Sequence, residues 1–351
     1  MKKRIVILLI SLLAVLSLSL VGCLGTEDEP ETEEKTPIKF SHFEDGSGAL
    51  VKGVDWDVCT TTDIVIPATS PKGVPVVSVA AGAFENDTKI TSIVLPEGLD
   101  RIQEGAFKNC TSLKSVKIPD SVDTIRESAF FGCTALEEAK LPASLFQLGD
   151  NAFWGCQSLK SVEIPELLGT IGNSAFASCS SLESITVSEN NAAFVAVDNC
   201  LMSGKNMTKK CIVLGCKTSK IPTDGSVDSI GSYAFSGSDL TSIILPEGIE
   251  YIGDCAFSGC TSVTSISLPE SLTHIGYSAF YGCEGITEVH IGKNVVTIGY
   301  GAFGLCSNLT DVYYDNIKSR WEYAQLNQGG YPFEEVTCTV HCTDGSIEIV
   351  P

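Results

Sequence analysis

Residues Leu113–Thr134 read LKSVKIPDSVDTIRESAFFGCT, and this stretch decides the fold. Its first part alternates. Val116 and Ile118 fall on one side of an extended chain and Ser115 and Lys117 on the other, the pattern of a short strand with one face in a core. Pro119 ends that strand, because proline has no N–H to give to a ladder. Val122, Ile125, Ala129 and Phe130 then supply the apolar residues of a return path. One strand and one return path cannot bury their apolar side alone. A unit this small is stable only when stacked on copies of itself.

The copies are present. Ala-Phe pairs end at Phe84, Phe107, Phe130, Phe153 and Phe176, with gaps of 23 residues, and resume at Phe235, Phe257, Phe280 and Phe303, with gaps of 22, 23 and 23. Nine of the 15 phenylalanines are these anchors, so the spacing is not chance. A fixed period of this length is the mark of a solenoid. The 59-residue gap from Phe176 to Phe235 exceeds two periods by 13, so one irregular unit with an insertion lies near residues 188–225. Within it, Phe194-Val195-Ala196-Val197 and Cys200-Leu201-Met202 flank Asp198-Asn199. Two apolar runs around such a pair predict a protruding β-hairpin.

These residues resemble leucine-rich repeats, specifically the BspA-like group of bacterial surface proteins, whose repeat reads L-x-x-I-x-I-P-x-x-V-x-x-I-G-x-x-A-F-x-x-C. Leu245-Pro246, Ile252-Gly253, Ala256-Phe257 and Cys260 fit it fully, whereas Gln103 and Arg126 stand where later units have Gly. That glycine is therefore expected to be dispensable for the turn. The ends match as well: Ile64-Val65-Ile66-Pro67 and Gly73-Val74-Pro75-Val76 resemble the family's opening segment, and Val312-Tyr313-Tyr314, Trp321 and Val340-His341-Cys342 its closing one. The resemblance implies a leucine-rich-repeat solenoid: a curved parallel β-sheet with short helical or irregular convex segments, capped at both ends. The expected divisions are a signal at 1–22, a tether at 23–42, an N-terminal cap at 43–82, repeats at 83–312 and a C-terminal cap at 313–351.

The N-terminus reads as an address. Lys2, Lys3 and Arg4 precede an apolar run from Ile5 to Val21, the layout of a secretory signal. Leu20-Val21-Gly22-Cys23 resembles a bacterial lipobox, which implies lipidation at Cys23 and membrane attachment through that lipid. Residue 24 is Leu rather than Asp, so by the same resemblance the inner-membrane retention signal is missing. The expected location is the cell envelope, on its outer surface. Glu27, Asp28, Glu29, Glu31, Glu33 and Glu34 make the following stretch too charged to pack, as in a tether.

Charge narrows the partners. With 23 basic and 43 acidic residues the formal charge is −20. That field repels phosphate backbones and anionic lipid surfaces, which argues against nucleic acid as a partner. Chemistry-bearing motifs are sparse. Cys110, Cys133, Cys156, Cys179, Cys260, Cys283 and Cys306 each follow a repeat Phe by three residues, and a thiol at a fixed repeat position reads as a small buried filler. Cys200, Cys211 and Cys216 lie near the insertion and leave a disulfide open. Cys338 and Cys342 are too far apart along a strand to chelate together. The four histidines, His42, His274, His290 and His341, form no HExxH, and neither a G-x-S-x-G nor a Walker sequence occurs. No catalytic residue, metal site or cofactor is expected.

The strand face that points away from the core is the remaining candidate. One row runs Ser92, Ser115, Glu138, Ser161, Ser184, Ser242, Ser265, Glu288, Asp311. Its neighbour runs Val94, Lys117, Lys140, Glu163, Thr186, Ile244, Ser267, His290, Tyr313. This face varies while the core positions stay fixed. All nine tyrosines lie between Tyr233 and Tyr331, Tyr300 among them. Tyr is enriched at recognition surfaces because it offers apolar area and a polar tip at low entropic cost. The candidate binding face is therefore Ser242, Ile244, Ser265, Ser267, Glu288, His290, Asp311, Tyr313 and Tyr300. The family resemblance implies adhesion to host or neighbouring-cell proteins, with extracellular-matrix glycoproteins such as fibronectin or fibrinogen as partners. The alternatives are a periplasm-facing scaffold lipoprotein and, further off, a glycan-acting enzyme with its site in the insertion.

Overall fold

The computed structural model describes residues 36–326 and 331–350; Cys23, the signal segment and the acidic stretch lie outside the described residues. The described chain is a curved, mostly parallel β-solenoid. Its one α-helix among the described residues is Lys318–Leu326. Each repeat holds two strands rather than the single strand the alternation predicted. In the quoted unit these are Ser115–Lys117 and Thr124–Ile125. Both pair in parallel register with the equivalent residues of the adjacent repeat, Val116 beside Ile93 and Ile125 beside Ile102. Two sheets therefore run along the solenoid. The convex side is turns and this second strand, not helix.

Between the two strand rows lies the apolar interior. Val116, Ile118, Val122, Ile125, Ala129 and Phe130 are all buried. The repeat phenylalanines form a file, with Phe84, Phe107, Phe130 and Phe153 stacked at 5.0 Å and nearly parallel. Offset parallel rings at this spacing add roughly 0.5–1.5 kcal/mol per pair beyond area burial. The ladder cysteines are more than filler. Each thiol donates to the carbonyl of the Phe one repeat before it, as from Cys133 to Phe107 at 3.1 Å and from Cys283 to Phe257 at 3.2 Å. The position thus wants a small apolar side chain with a donor. Burial pushes Cys179 and Cys306 up to about 12, so these thiols stay protonated. The 14 described cysteines are all free thiols, Cys200, Cys211 and Cys216 included.

The turn around each Phe needs two left-handed residues. In the quoted unit Ser128 (φ 55°) and Gly132 (φ 69°) take them. The glycine after the second strand acts differently. A Cβ on Gly253 would stand 2.5 Å from the Ser232 nitrogen and 2.7 Å from the Gly231 carbonyl carbon, and one on Gly149 2.4 Å from the Glu127 nitrogen. There the backbone of one repeat lies directly on the next. The early units that carry Gln103 and Arg126 tolerate a side chain, so the expectation of dispensability holds for them and not for the later units.

The hairpin forms as predicted, with Phe194–Val197 antiparallel to Cys200–Ser203 and the turn at Asp198-Asn199. Both turn residues have positive φ, 49° and 60°, the backbone of a type I′ turn. It does not protrude. Cys200, Leu201 and Met202 are all buried. Leu201 packs into the interior that reaches back to Ile38, whereas Cys200 and Met202 pack into the one that reaches on to Ile349. The insertion thus divides the core. It also interrupts both sheets: one ends at Thr170–Ile171, and the strand Ser184–Val187 has only Ser161–Ile164 beside it.

Both ends close with antiparallel hairpins. At the start Ile38–His42 pairs with Ala49–Val54, so the folded body begins before residue 43 and takes in the last residues of the stretch read as tether. At the far end Cys338–Cys342 lies parallel to Asp311–Tyr314, and Gly345–Ile349 folds back against it. Phe333 continues the ring file from Phe303, and Trp321 closes on Phe333 at 5.8 Å. These large side chains cover the core that a bare last repeat would expose.

Candidate binding surface

The first strand of each repeat directs alternate residues inward and outward, so the period-2 reading of the exposed rows holds. Ser242 and Ile244 flank buried Ile243, and Glu288 and His290 flank buried Val289. Ile244 is 69% exposed although its inward neighbour is sealed, an apolar residue left in water by the geometry of its strand. Ser265 and Ser267 are exposed beside it, with Ser242 paired to Ser265 and Ile244 to Ser267. Asp311 and Tyr313 are half-buried on the strand that pairs with Glu288 and His290.

The closing hairpin extends this row by one member that the sequence reading left out. His341 stands beside Tyr313 in the ladder, as His290 does on the other side. The three rings stack, His290 to Tyr313 at 4.6 Å and Tyr313 to His341 at 4.8 Å. Rings packed face to face present their edges and polar tips outward. The surface they make is a strip of ring edges and polar tips on an apolar body, and adjacent stacking removes much of the rotamer freedom a partner would otherwise have to freeze.

Asp311 fixes one end. Its Oδ1 lies 2.7 Å from His341 Nε2, and Thr310 Oγ1 donates to its other oxygen at 2.8 Å. The His341 contact first, then Thr310, hold the Asp311 carboxyl below the usual carboxylate range. Ser346 Oγ is 3.3 Å from His341 Nδ1. Serine, histidine and aspartate thus fall in line. Ser346, however, lies exposed on the last strand of an open sheet surface, so the contacts orient an imidazole rather than build an enclosed nucleophile. Among the described residues no group of three His, Cys, Asp or Glu side chains converges to hold a metal ion.

Tyr300 belongs elsewhere. It is 43% exposed in the turn after Thr297–Ile298, at the repeat position of Tyr277, and not on the sheet row. Glu334 beside it raises its phenol above the ordinary tyrosine value. The tyrosine asymmetry therefore splits between two surfaces. Period-2 alternation found the row residues. His341 was hidden because it enters from the cap, 28 residues after Tyr313 rather than at the repeat spacing.

A family model described as the BspA type leucine rich repeat region matches residues 77–203 and 214–327, in six copies. Among solved structures, the pneumococcal vaccine antigen PcpA is similar at 26% identity with a TM-score of 0.61, over 80% of this chain and 81% of that one. A leucine rich cell surface protein from Faecalibacterium prausnitzii shares the fold at 22% identity and a TM-score of 0.52, over 85% of this chain and 98% of that one. No curated protein matches the chain. The family model covers more than half of the sequence and falls on the stacked repeats just described, so the chain belongs to the BspA-type leucine-rich-repeat family.

Proposed function

We propose that this chain is a lipid-anchored protein of the outer cell surface that binds a protein partner through the C-terminal part of its sheet face. The observation that carries the reading is the in-register stack of His290, Tyr313 and His341, continued by exposed Ile244 and Ser267. Solenoids of this kind present extended faces for binding. This one offers aromatic edges, an exposed aliphatic side chain and a row of small polar groups on a rigid sheet. Carboxylates of Glu288, Asp311 and Glu348 lie on the same paired strands, which favours a partner with a basic surface and quickens its encounter at low salt. The lipobox-like end at Cys23 supports attachment, and the acidic stretch after it supports a spacer. The pneumococcal relative is a vaccine antigen, which supports an outward-facing placement. Matrix glycoproteins such as fibronectin and fibrinogen are the first partners to try. Display of many copies on one cell would multiply a weak contact.

Two measurements test this. Protease treatment of intact cells should remove the solenoid epitope, whereas protection until lysis would assign the chain to an inward-facing scaffold. Binding of the purified chain to immobilised matrix proteins should fall at least tenfold in the His290→Ala, Tyr313→Ala double variant. Unchanged binding would remove the C-terminal face from the account.

A further inference from the structure

The break in the sheets at the irregular unit leaves two strand edges without a neighbouring strand. Ser184–Val187 is the last strand of its two-stranded sheet, and Phe194–Val197 is the first of its seven-stranded one. Both line one cleft of about 520 Å³. The main-chain groups at these edges follow from the register. Ile185 N–H turns away from Ser161–Ile164 and donates to Asn199 Oδ1 at 3.2 Å. In a parallel strand alternate residues point to the same side, so Val187 N–H and the Ile185 carbonyl also face the cleft. Val197 and Cys200 pair across the two-residue turn, which sends the main chain of Ala196 to the open side.

The cleft continues. Ser188 lines it and also a second cleft of about 570 Å³, whose wall includes Leu167. Leu167 is 58% exposed, and it stands where the other repeats place Gly98, Ser121, Ser144, Gly248, Ser271 and Asn294. Leu167 does not serve the core, so one repeat departs from the small polar pattern in the wall of this groove. The walls are acidic, with Glu163, Glu166 and Glu189 exposed along them. Of the two lysines that line the clefts, Lys205 is bound to the carbonyls of Glu189 and Asn191, leaving Lys140 as the cationic side chain free of such a tie.

We infer that this groove binds an extended peptide segment with alternating apolar and basic side chains, which adds a strand at the Val187 end of the edge, through the Ile185 carbonyl and the Val187 main chain, beyond the Ile185 N–H that Asn199 holds and the Glu183 carbonyl that Thr218 Oγ1 holds at 2.6 Å. Unpaired strand edges are templates for such addition, where main-chain bonds give affinity and alternate side chains give selectivity. The site is distinct from the aromatic row and does not depend on its role.

The test uses the peptide acetyl-(Lys-Val)4-amide and the purified protein, by calorimetry and hydrogen exchange. Saturable one-to-one binding is expected, with slower exchange of the Val187 amide. The same peptide methylated at every main-chain nitrogen should bind at least tenfold more weakly. The Glu163→Gln, Glu166→Gln, Glu189→Gln variant, whose changes are all at exposed positions, should also lose at least tenfold while keeping its circular dichroism. Absence of saturable binding, equal affinity for the methylated peptide, or undiminished affinity in the triple variant would each overturn the proposal. So would a dimer of the chain that the peptide fails to displace, since that would assign the groove to a second copy.

Discussion

Gly253→Ala and Gly169→Ala are the same chemical change at two places where the structure demands opposite results. Neither glycine has positive φ, so alanine meets no backbone penalty at either. At Gly253 the new Cβ would lie 2.5 Å from the Ser232 nitrogen, 2.7 Å from the Gly231 carbonyl carbon and 3.0 Å from the Ile230 oxygen. All three are main-chain atoms of the adjacent repeat, so no side chain can swing aside. The repeats must separate locally, and the bond from Gly253 N to Ile230 O at 2.8 Å must stretch with them. Overpacking of this kind costs about 1–3 kcal/mol, and the loss of a buried backbone bond adds about 1 kcal/mol. A total near 3 kcal/mol should lower the melting temperature by about 5 °C in a body of this size. At Gly169 nothing lies within 4 Å of the added methyl group. There alanine should be neutral or stabilise by about 0.4–1 kcal/mol, through the entropy of the unfolded chain. Denaturant unfolding with hydrogen exchange on both variants is the assay. Repeat proteins can unfold in parts, so the exchange data should place the Gly253→Ala loss around residues 230–276. Equal stability of the two variants would refute the close stacking on which the fold account rests.

Other expectations follow from the same geometry. Iodoacetamide at pH 8 should leave Cys110, Cys133, Cys156, Cys179, Cys260, Cys283 and Cys306 unmodified in the folded protein while labelling the partly exposed Cys59, Cys255 and Cys342; peptide mapping that finds the ladder thiols alkylated would contradict their burial. Leu201→Ala should cost about 2–5 kcal/mol and weaken exchange protection mainly on the N-terminal side of the hairpin, since Leu201 packs there; equal loss on both sides would contradict the divided core. The Asp311 carboxyl lies below its ordinary value of 3.8, so its contact with His341 is present above that pH and is lost as pH falls through the lowered value. Carbon NMR of that carboxyl should show a midpoint below 3.8, and a midpoint at or above it would remove the contact from the account.

How much of this was legible without coordinates depended on repetition. The first strand announces itself by alternation, because Ser-Val-Lys-Ile places two apolar residues on one side in a single unit. The second strand does not. Thr124–Ile125 is two residues long with one apolar side chain, too short for any period to register. The left-handed positions were visible only as a scatter of Gly, Asn and Ser, and Tyr233 and Leu305 occupy them too, with φ of 60° and 52°. The hairpin turn was readable because Asp-Asn tolerates positive φ at both positions. Its burial was not, since the two sides of Cys200–Ser203 meet different interiors and apolar residues in succession read the same in a protruding loop. The cysteine donors needed the distance to the Phe carbonyl. On the binding face, the repeat period gave every row residue up to Tyr313 and lost His341 where the period stops.

The most direct test of the central claim places a photocrosslinking amino acid at Tyr313 on intact cells that display the protein, with Lys108, in the turn after Phe107 and off the sheet row, as the control position. The account predicts covalent adducts to another protein from position 313, reduced when Ile244 or His290 is also replaced, and none from position 108. Adducts from position 108 alone, or from neither position in cells where the chain is shown to be displayed and its partner is present, would contradict the assignment of the sheet face as the contact surface.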